Sequence, residues 1–239
     1  MSFEPDAEPT PTPEAAAVRA LLAAVTPASD AFDPYASALS LRGALLDPCA
    51  VPPRSLLRIW RELEGARLAR VGALRLAVWG GATPGPILAA ARDRFGIAPT
   101  LAVIAKPGAA IAAARGDGVV AVLALDGAGW IRLLAEPAVR VFATLPESTS
   151  GRPLALAVAA AALGPTGDDR TLWATDAPGS AAVIEAQLGA LGFAADLWSA
   201  AGGLKLFALA GYVQPHDERL AAAPGRLTGV IGSAPVFAA

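Results

Sequence analysis

The sequence has almost none of the residues that build metal sites and disulfides. Its 239 residues include one cysteine, Cys49, and one histidine, His216. A single cysteine cannot form an internal disulfide, and one cysteine with one histidine supplies too few ligands for a zinc site. We therefore expect a cytoplasmic protein, in a reducing compartment, that holds neither a metal nor another cofactor.

Charge is also scarce. Only 17% of the residues are charged and the formal net charge is -2, so the chain lacks the basic excess that binds nucleic-acid phosphates. The hydrophobic fraction is 54%, but long uncharged runs, such as residues 153–167, are interrupted by proline and glycine. A membrane-spanning helix needs roughly 20 apolar residues. We expect neither a nucleic acid nor a membrane as a partner.

Helical patterns occupy the first third of the chain. Residues 1–13 are acidic and proline-rich, which predicts a disordered tail and not a signal peptide. Apolar residues then recur at helical spacing in three segments separated by proline-containing linkers. The predicted helices cover residues 14–25, 35–46 and 54–70.

From residue 74 short apolar runs alternate with glycine turns and short helices, which predicts a mainly parallel sheet with helices on its faces. The predicted strands are 74–79, 100–104, 119–125, 139–145 and 154–160, with helices at 86–95 and 107–114. After residue 164 the predicted order is strand, helix, strand, strand, helix, strand, the ferredoxin-like βαββαβ arrangement. These elements are expected at 170–174, 180–191, 194–198, 204–212, from about 217, and at 227–232.

Several strings, taken in order, resemble the bifunctional chorismate mutase–prephenate dehydratase family, and together they cover nearly the whole chain. PPRSLLRIWRE at 52–62 resembles the last mutase helix, and LAVWGGATP at 76–84 stands where the dehydratase domain opens. VAVLALD at 120–126 occupies the place of a family string that ends in glutamate. GPTGDDRT at 164–171 resembles the start of the family's ACT domain, as 211–213 and 231–233 resemble two of its strands.

The resemblance implies an α/β protein of three parts after the tail at 1–13. Residues 14–72 would be a helical chorismate-mutase-like remnant, since the family's long first helix is mostly missing. Residues 73–163 would form a two-lobed, periplasmic-binding-protein-like dehydratase domain, and residues 164–239 an α+β ACT-like domain. In the family such helices and ACT domains pair subunits, so we expect a homodimer or a partner enzyme through these two parts.

The residues that carry the family's chemistry are largely absent. Dehydrating prephenate requires two negative charges to be held and a proton to be donated. The family uses a Thr-Arg-Phe motif for this, and the matching stretch at 151–156 has none. The candidate catalytic residues are therefore Asp126, in place of the family's glutamate, and Arg152. The candidate ligand-binding residues for a small, prephenate-like carboxylate are Gly80, Gly81, Ala82, Thr83, Asp126 and Arg152.

Three hypotheses follow from these losses. The first is a non-catalytic binding or regulatory subunit of phenylalanine biosynthesis, because the mutase centre and the phenylalanine-binding strings of the ACT domain (178–181 and 198–202 here) are also altered. The second is an active dehydratase or mutase that uses replacement residues. The third is a small-molecule-binding module with only topological similarity to the family.

Other conspicuous residues have ordinary structural explanations. We expect His216 in an exposed loop, Cys49 as an inert thiol and Lys106 as a solvated side chain. Two explanations stay open for the Gly80-Gly81 turn: an anion cradle at the next helix N-terminus, or a bare strand-to-helix turn. The exposed side of Trp60 and Leu63 is a candidate oligomer contact. Four arginines of the third helix are expected on a solvated face: Arg54, Arg58, Arg61 and Arg67.

Overall fold

The computed structural model describes residues 12–25, 31–46, 52–147 and 151–237. Cys49, most of the predicted tail and part of the first predicted linker lie outside the described residues. Three helices come first: α1 (Pro13–Val25), α2 (Pro34–Leu46) and α3 (Pro53–Arg70). Each begins at a proline, which the first helical turn accepts because its N–H groups have no intrahelical partner.

Helices α2 and α3 share an apolar cluster with the end of the chain. Its buried members are Ala38, Leu41, Leu56, Leu57, Trp60 and Phe237. The Trp60 side chain is only 1% exposed, because the helix face that carries it is covered by α2 and by the C-terminal segment. The prediction that Trp60 presents an exposed side for an oligomer contact is therefore wrong. Leu63 is half-buried against the same cluster.

Nine strands form one continuous sheet. They are β1 (Arg75–Trp79), β2 (Thr100–Val103), β3 (Val119–Ala124), β4 (Arg140–Leu145), β5 (Ala155–Ala159), β6 (Asp169–Thr175), β7 (Ala195–Ala201), β8 (Leu204–Ala210) and β9 (Thr228–Pro235). Their order is β2-β1-β3-β5-β4-β9-β6-β8-β7. The sheet runs past the predicted boundary at residue 163, because β4 pairs with β9 through Val141 and Gly232.

The expectation of a mainly parallel sheet is wrong, because most neighbouring strands are antiparallel. Parallel pairing occurs between β1 and β2, β1 and β3, and β4 and β9, and the other five pairs are antiparallel. Connection length explains the difference. A parallel crossover needs a dozen or more residues, but only residues 146–154 join β4 to β5, and only residues 202–203 join β7 to β8.

Helices cover both faces of the sheet, so the protein is a mixed α/β protein. These are α4 (Pro84–Phe95), α5 (Pro107–Ala113) and α6 (Ala181–Ala190), with 3-10 helices at Ala128–Ala135 and Glu218–Ala222. The α4 residues Ile87 and Phe95 pack on one face of β1 and β3, while Ile111 of α5 packs on the other. Within the described residues, no helix has both the length and the apolar character needed to cross a membrane.

The C-terminal segment has strand order β9-β6-β8-β7 with antiparallel pairing throughout. Its elements follow the predicted succession with one difference. The last crossover is a 3-10 helix of five residues, Glu218–Ala222, and not an α-helix. Proline and glycine at Pro215, Pro224 and Gly225 leave little room there for a longer helix.

Candidate functional site

The residues predicted as the reaction centre do lie at one end of the sheet. Strands β1 and β3 are parallel, with Trp79 beside Leu123, so the segments that follow them leave the sheet at the same edge. The turn 80–83 follows β1, and Asp126 follows β3. A Cβ on Gly81 would lie 3.2 Å from the Ala124 Cβ. Carboxyl ends of parallel strands are the usual place for ligands in α/β proteins.

Arg152 joins this end of the sheet from the neighbouring strand. The Leu125 N–H donates to the Leu154 carbonyl over 2.9 Å, which sets residues 152 and 126 side by side. The Arg152 guanidinium then donates to Asp126 Oδ1 over 2.7 Å. Both side chains face water, with 80% of Asp126 and 45% of Arg152 exposed. The cation that would hold a ligand carboxylate is thus already neutralised by its neighbour.

The turn at 80–83 is a poor anion cradle. An anion at a helix N-terminus is held by the free backbone N–H groups of the first turn. In α4 the first and third of these positions are Pro84 and Pro86, which carry no N–H. Thr83 precedes the helix, and its side chain makes no capping bond within the described part of the chain.

Turn geometry accounts for the two glycines instead. Gly81 has a φ of 61°, and a Cβ on Gly80 would lie 2.4 Å from the Pro84 Cα. Both positions therefore require glycine without any ligand. Of the two explanations left open for this turn, the geometry favours the bare strand-to-helix turn.

The remaining conspicuous residues are not gathered into a site. Lys106 and His216 are exposed. In the altered ACT strings, Trp198 is buried, and Ser199 Oγ accepts a hydrogen bond from Trp130 and donates one to Leu125. Across the described ranges, no group of three or more His, Cys, Asp or Glu side chains is arranged to hold a metal ion.

A buried ion cluster, which sequence reasoning missed, lies between α3, α4 and the end of β4. Glu147 is its centre, with a fully buried side chain. Arg61 donates to Glu147 Oε2 over 2.8 Å, and Arg94 Nε donates to Oε1 over 2.7 Å. Arg61 also reaches Asp93, at 3.2 Å. The expectation that Arg61 lies on a solvated face is therefore wrong, whereas Arg54 and Arg58 are exposed.

The spacing along α3 carried a signal for this cluster. Leu57, Arg61, Glu64 and Leu68 are separated by four, three and four residues, and all four are buried. That spacing places them on one helix face. Charged residues at core positions of an apolar stripe predict partners across the packed interface. The pattern could not identify the partners, since Glu147 is 86 positions from Arg61.

Glu64 extends the cluster toward α2. Ser37 Oγ donates a hydrogen bond to Glu64 Oε1, and the Arg94 guanidinium lies 3.8 Å from Oε2. Burial raises the pKa of the Glu64 carboxyl above its usual value, although Arg94 and Ser37 act in the opposite direction. Burial lowers the pKa of Arg94, but the charges of Glu147 and Glu64 more than compensate and raise it overall.

A cavity of about 420 Å³ opens beside this cluster. Its charged walls are Arg61, Asp93, Arg94 and Glu147. Each arginine already pairs with a carboxylate, so the wall carries no net positive charge. Such an arrangement locks α3 against α4, and its chemistry is that of a structural joint.

This chain has few similarities to known proteins. No protein-family model matches it, and no curated protein matches it. A solved structure described as "GqqA- a novel type of quorum quenching acylases" aligns with 68% of this chain and 95% of its own length, at 15% identity and a TM-score of 0.45. The chain therefore has a distant structural likeness to that protein, and the comparisons show no family membership.

Proposed function

We propose that the protein is a degenerate relative of the chorismate mutase–prephenate dehydratase family, acting in the cytoplasm as a non-catalytic binding or regulatory subunit of phenylalanine biosynthesis. The ordered strings at 52–62, 76–84, 120–126 and 164–171 support the family relationship. Under this proposal, residues 14–72 derive from the mutase, residues 73–163 from the two-lobed dehydratase domain, and residues 164–239 from the ACT domain. The antiparallel β9-β6-β8-β7 order supports the last assignment.

The observation that carries the non-catalytic part is the Asp126–Arg152 pair. Prephenate carries two carboxylates, so a site that binds it needs excess positive charge. Arg152 and Asp126 together carry none, and both are open to water, where an ion pair contributes little. The prolines at positions 84 and 86 remove two of the backbone donors that could have compensated.

Turnover assays test the non-catalytic part. The purified protein is incubated separately with chorismate and with prephenate, and product formation is followed by absorbance. We expect rates equal to those of the uncatalysed reactions. Turnover that the Arg152→Gln variant lowers would show instead that the protein is an active enzyme using replacement residues.

Calorimetry tests the binding part. Prephenate, phenylpyruvate and phenylalanine are titrated into the protein, and we expect saturable heat with at least one of them. An absence of heat with all three would contradict a role as a ligand-binding or ligand-sensing subunit. Size-exclusion chromatography with light scattering then tests the expected pairing through the N-terminal helices and the ACT-like part, for which a monomer would count against the homodimer.

A further inference from the structure

A second cavity lies where the two halves of the sheet meet, at the end of β5 opposite the predicted centre. Strands β4 and β9 pair at Val141 and Gly232. A Cβ on Gly232 would lie 2.1 Å from the Val141 carbonyl oxygen, so glycine is required for this close approach. Beside it is a cavity of about 320 Å³, within the size range of small-molecule sites.

Most of the cavity wall is apolar. Its apolar or main-chain lining comes from Ala161, Ala162, Leu163, Val213, Pro215, Val230 and Gly232. Three polar side chains, Arg140, Tyr212 and Ser233, complete the lining. Tyr212 and Ser233 belong to the two C-terminal strings singled out in the sequence. An apolar wall with a few convergent polar groups is the usual composition of a ligand pocket.

Arg140 is the charged group of this wall. One of its terminal nitrogens donates to the Val230 carbonyl over 2.8 Å, which holds the guanidinium at the cavity. No carboxylate within the described ranges forms an ion pair with Arg140. Arg61, Arg94 and Arg152 differ in this respect, since each has one. A half-buried guanidinium beside apolar surface is thus left with donors for an anion.

The two hydroxyl groups are held in place by backbone carbonyls. Tyr212 donates to the Leu163 carbonyl over 3.2 Å, and Ser233 donates to the Arg170 carbonyl over 3.3 Å. These bonds tie the cavity wall to the segment after β5 and to β6. The polar side of the cavity is therefore preorganised, and its one net charge is positive.

We propose that this cavity binds a small monocarboxylate with an apolar or aromatic body, the carboxylate on Arg140 and the body against the wall formed by Leu163, Val213 and Val230. A guanidinium and a carboxylate form charge-assisted, frequently bidentate hydrogen bonds. The single cation matches one carboxylate and not two. This inference goes beyond the proposed function, because it concerns a different site and holds whether or not the protein serves phenylalanine biosynthesis.

A matched pair of probes tests the chemistry. Binding of 3-phenylpropanoate and of 3-phenylpropanamide, which has nearly the same shape without the charge, is measured by calorimetry at low salt. We expect saturable binding of the acid and at least about 10-fold weaker binding of the amide, since hydrogen bonds to charged groups are the stronger kind. Equal affinity for the two probes, or no saturable binding of the acid, would overturn the proposal.

Matched variants test the location. Arg140→Gln should weaken binding of 3-phenylpropanoate by about 10- to 100-fold, while Arg75→Gln, the same change at an exposed arginine of β1, should leave it unchanged. Circular dichroism checks that each variant folds. Ala161→Phe fills the cavity from its apolar wall and leaves the guanidinium in place, so it should abolish binding. It provides the test of location if Arg140→Gln does not fold. Retained affinity in the folded cavity variants, or an equal loss in Arg75→Gln, would place the ligand elsewhere.

Discussion

Replacing Glu147 by glutamine removes the charge at the centre of the buried ion cluster and keeps the side-chain shape. Arg61 and Arg94 both donate to Glu147, over 2.8 and 2.7 Å, and both are at least nine-tenths buried. After the change Arg61 would keep the exposed Asp93, and Arg94 would keep Glu64 at 3.8 Å. The positive charges of the buried Arg61 and Arg94 would then be balanced less strongly by the remaining carboxylates.

The expected cost of Glu147→Gln is about 3–5 kcal/mol of unfolding free energy, the range measured when one partner of a buried ion pair is removed. That is a large share of the stability of an ordinary domain. In a protein of this size it should lower the melting temperature by roughly 6–20 °C. Urea denaturation followed by circular dichroism measures the free energy, and a thermal scan measures the shift.

Glu136→Gln is the matched control. Glu136 pairs with Arg115 at the surface, where water and salt screen the interaction, so the same substitution should change stability very little. A double variant, Arg61→Met with Glu147→Met, should cost less than the sum of its two single variants, because the pair is removed together. If Glu147→Gln is as harmless as Glu136→Gln, the cluster is not a structural joint.

Three further predictions follow from the same structure. Because burial raises the pKa of Glu64, the contribution of this carboxyl to stability is fully present below its unfolded pKa and is lost as the pH rises through its folded pKa. The stability of the wild type relative to Glu64→Gln, measured by urea titration, should therefore increase as the pH is lowered from 7 to 4.5. A difference that does not change with pH would contradict this. Gly232→Ala should cost at least about 3 kcal/mol through backbone crowding, whereas Gly43→Ala, inside α2 with open space around it, should stabilise by about 1 kcal/mol. The pKa of Asp176 is lowered by backbone N–H bonds from Leu227 and Arg226, so Asp176→Asn should be destabilising at neutral pH, with a difference that shrinks as the pH falls through the folded pKa of the wild type; a difference that persists in acid would refute this.

Local pattern predicted the positions of most elements closely. Strand β3 was expected at 119–125 and spans Val119–Ala124, and α6 was expected at 180–191 and spans Ala181–Ala190. These elements follow from apolar periodicity and from glycine or a capping serine at their ends; Ser180, for example, accepts the Val183 N–H. Such signals act between residues a few positions apart, so they can be recognised without knowledge of the fold.

The joining of the two parts of the sheet and the buried ion cluster were decided only by the tertiary structure. The pairing of β4 with β9 depends on which strand edges meet, and no local spacing encodes that choice. Charged residues on a helix usually face water, so Arg61 was expected there. Packing of α3 against α4 excludes the water, and Glu147 supplies the compensating charge from a distant part of the chain. The sequence alone determined the periodic segments, because they depend on residues only a few positions apart. The buried joint and the Arg140 cavity exist only where remote segments come together.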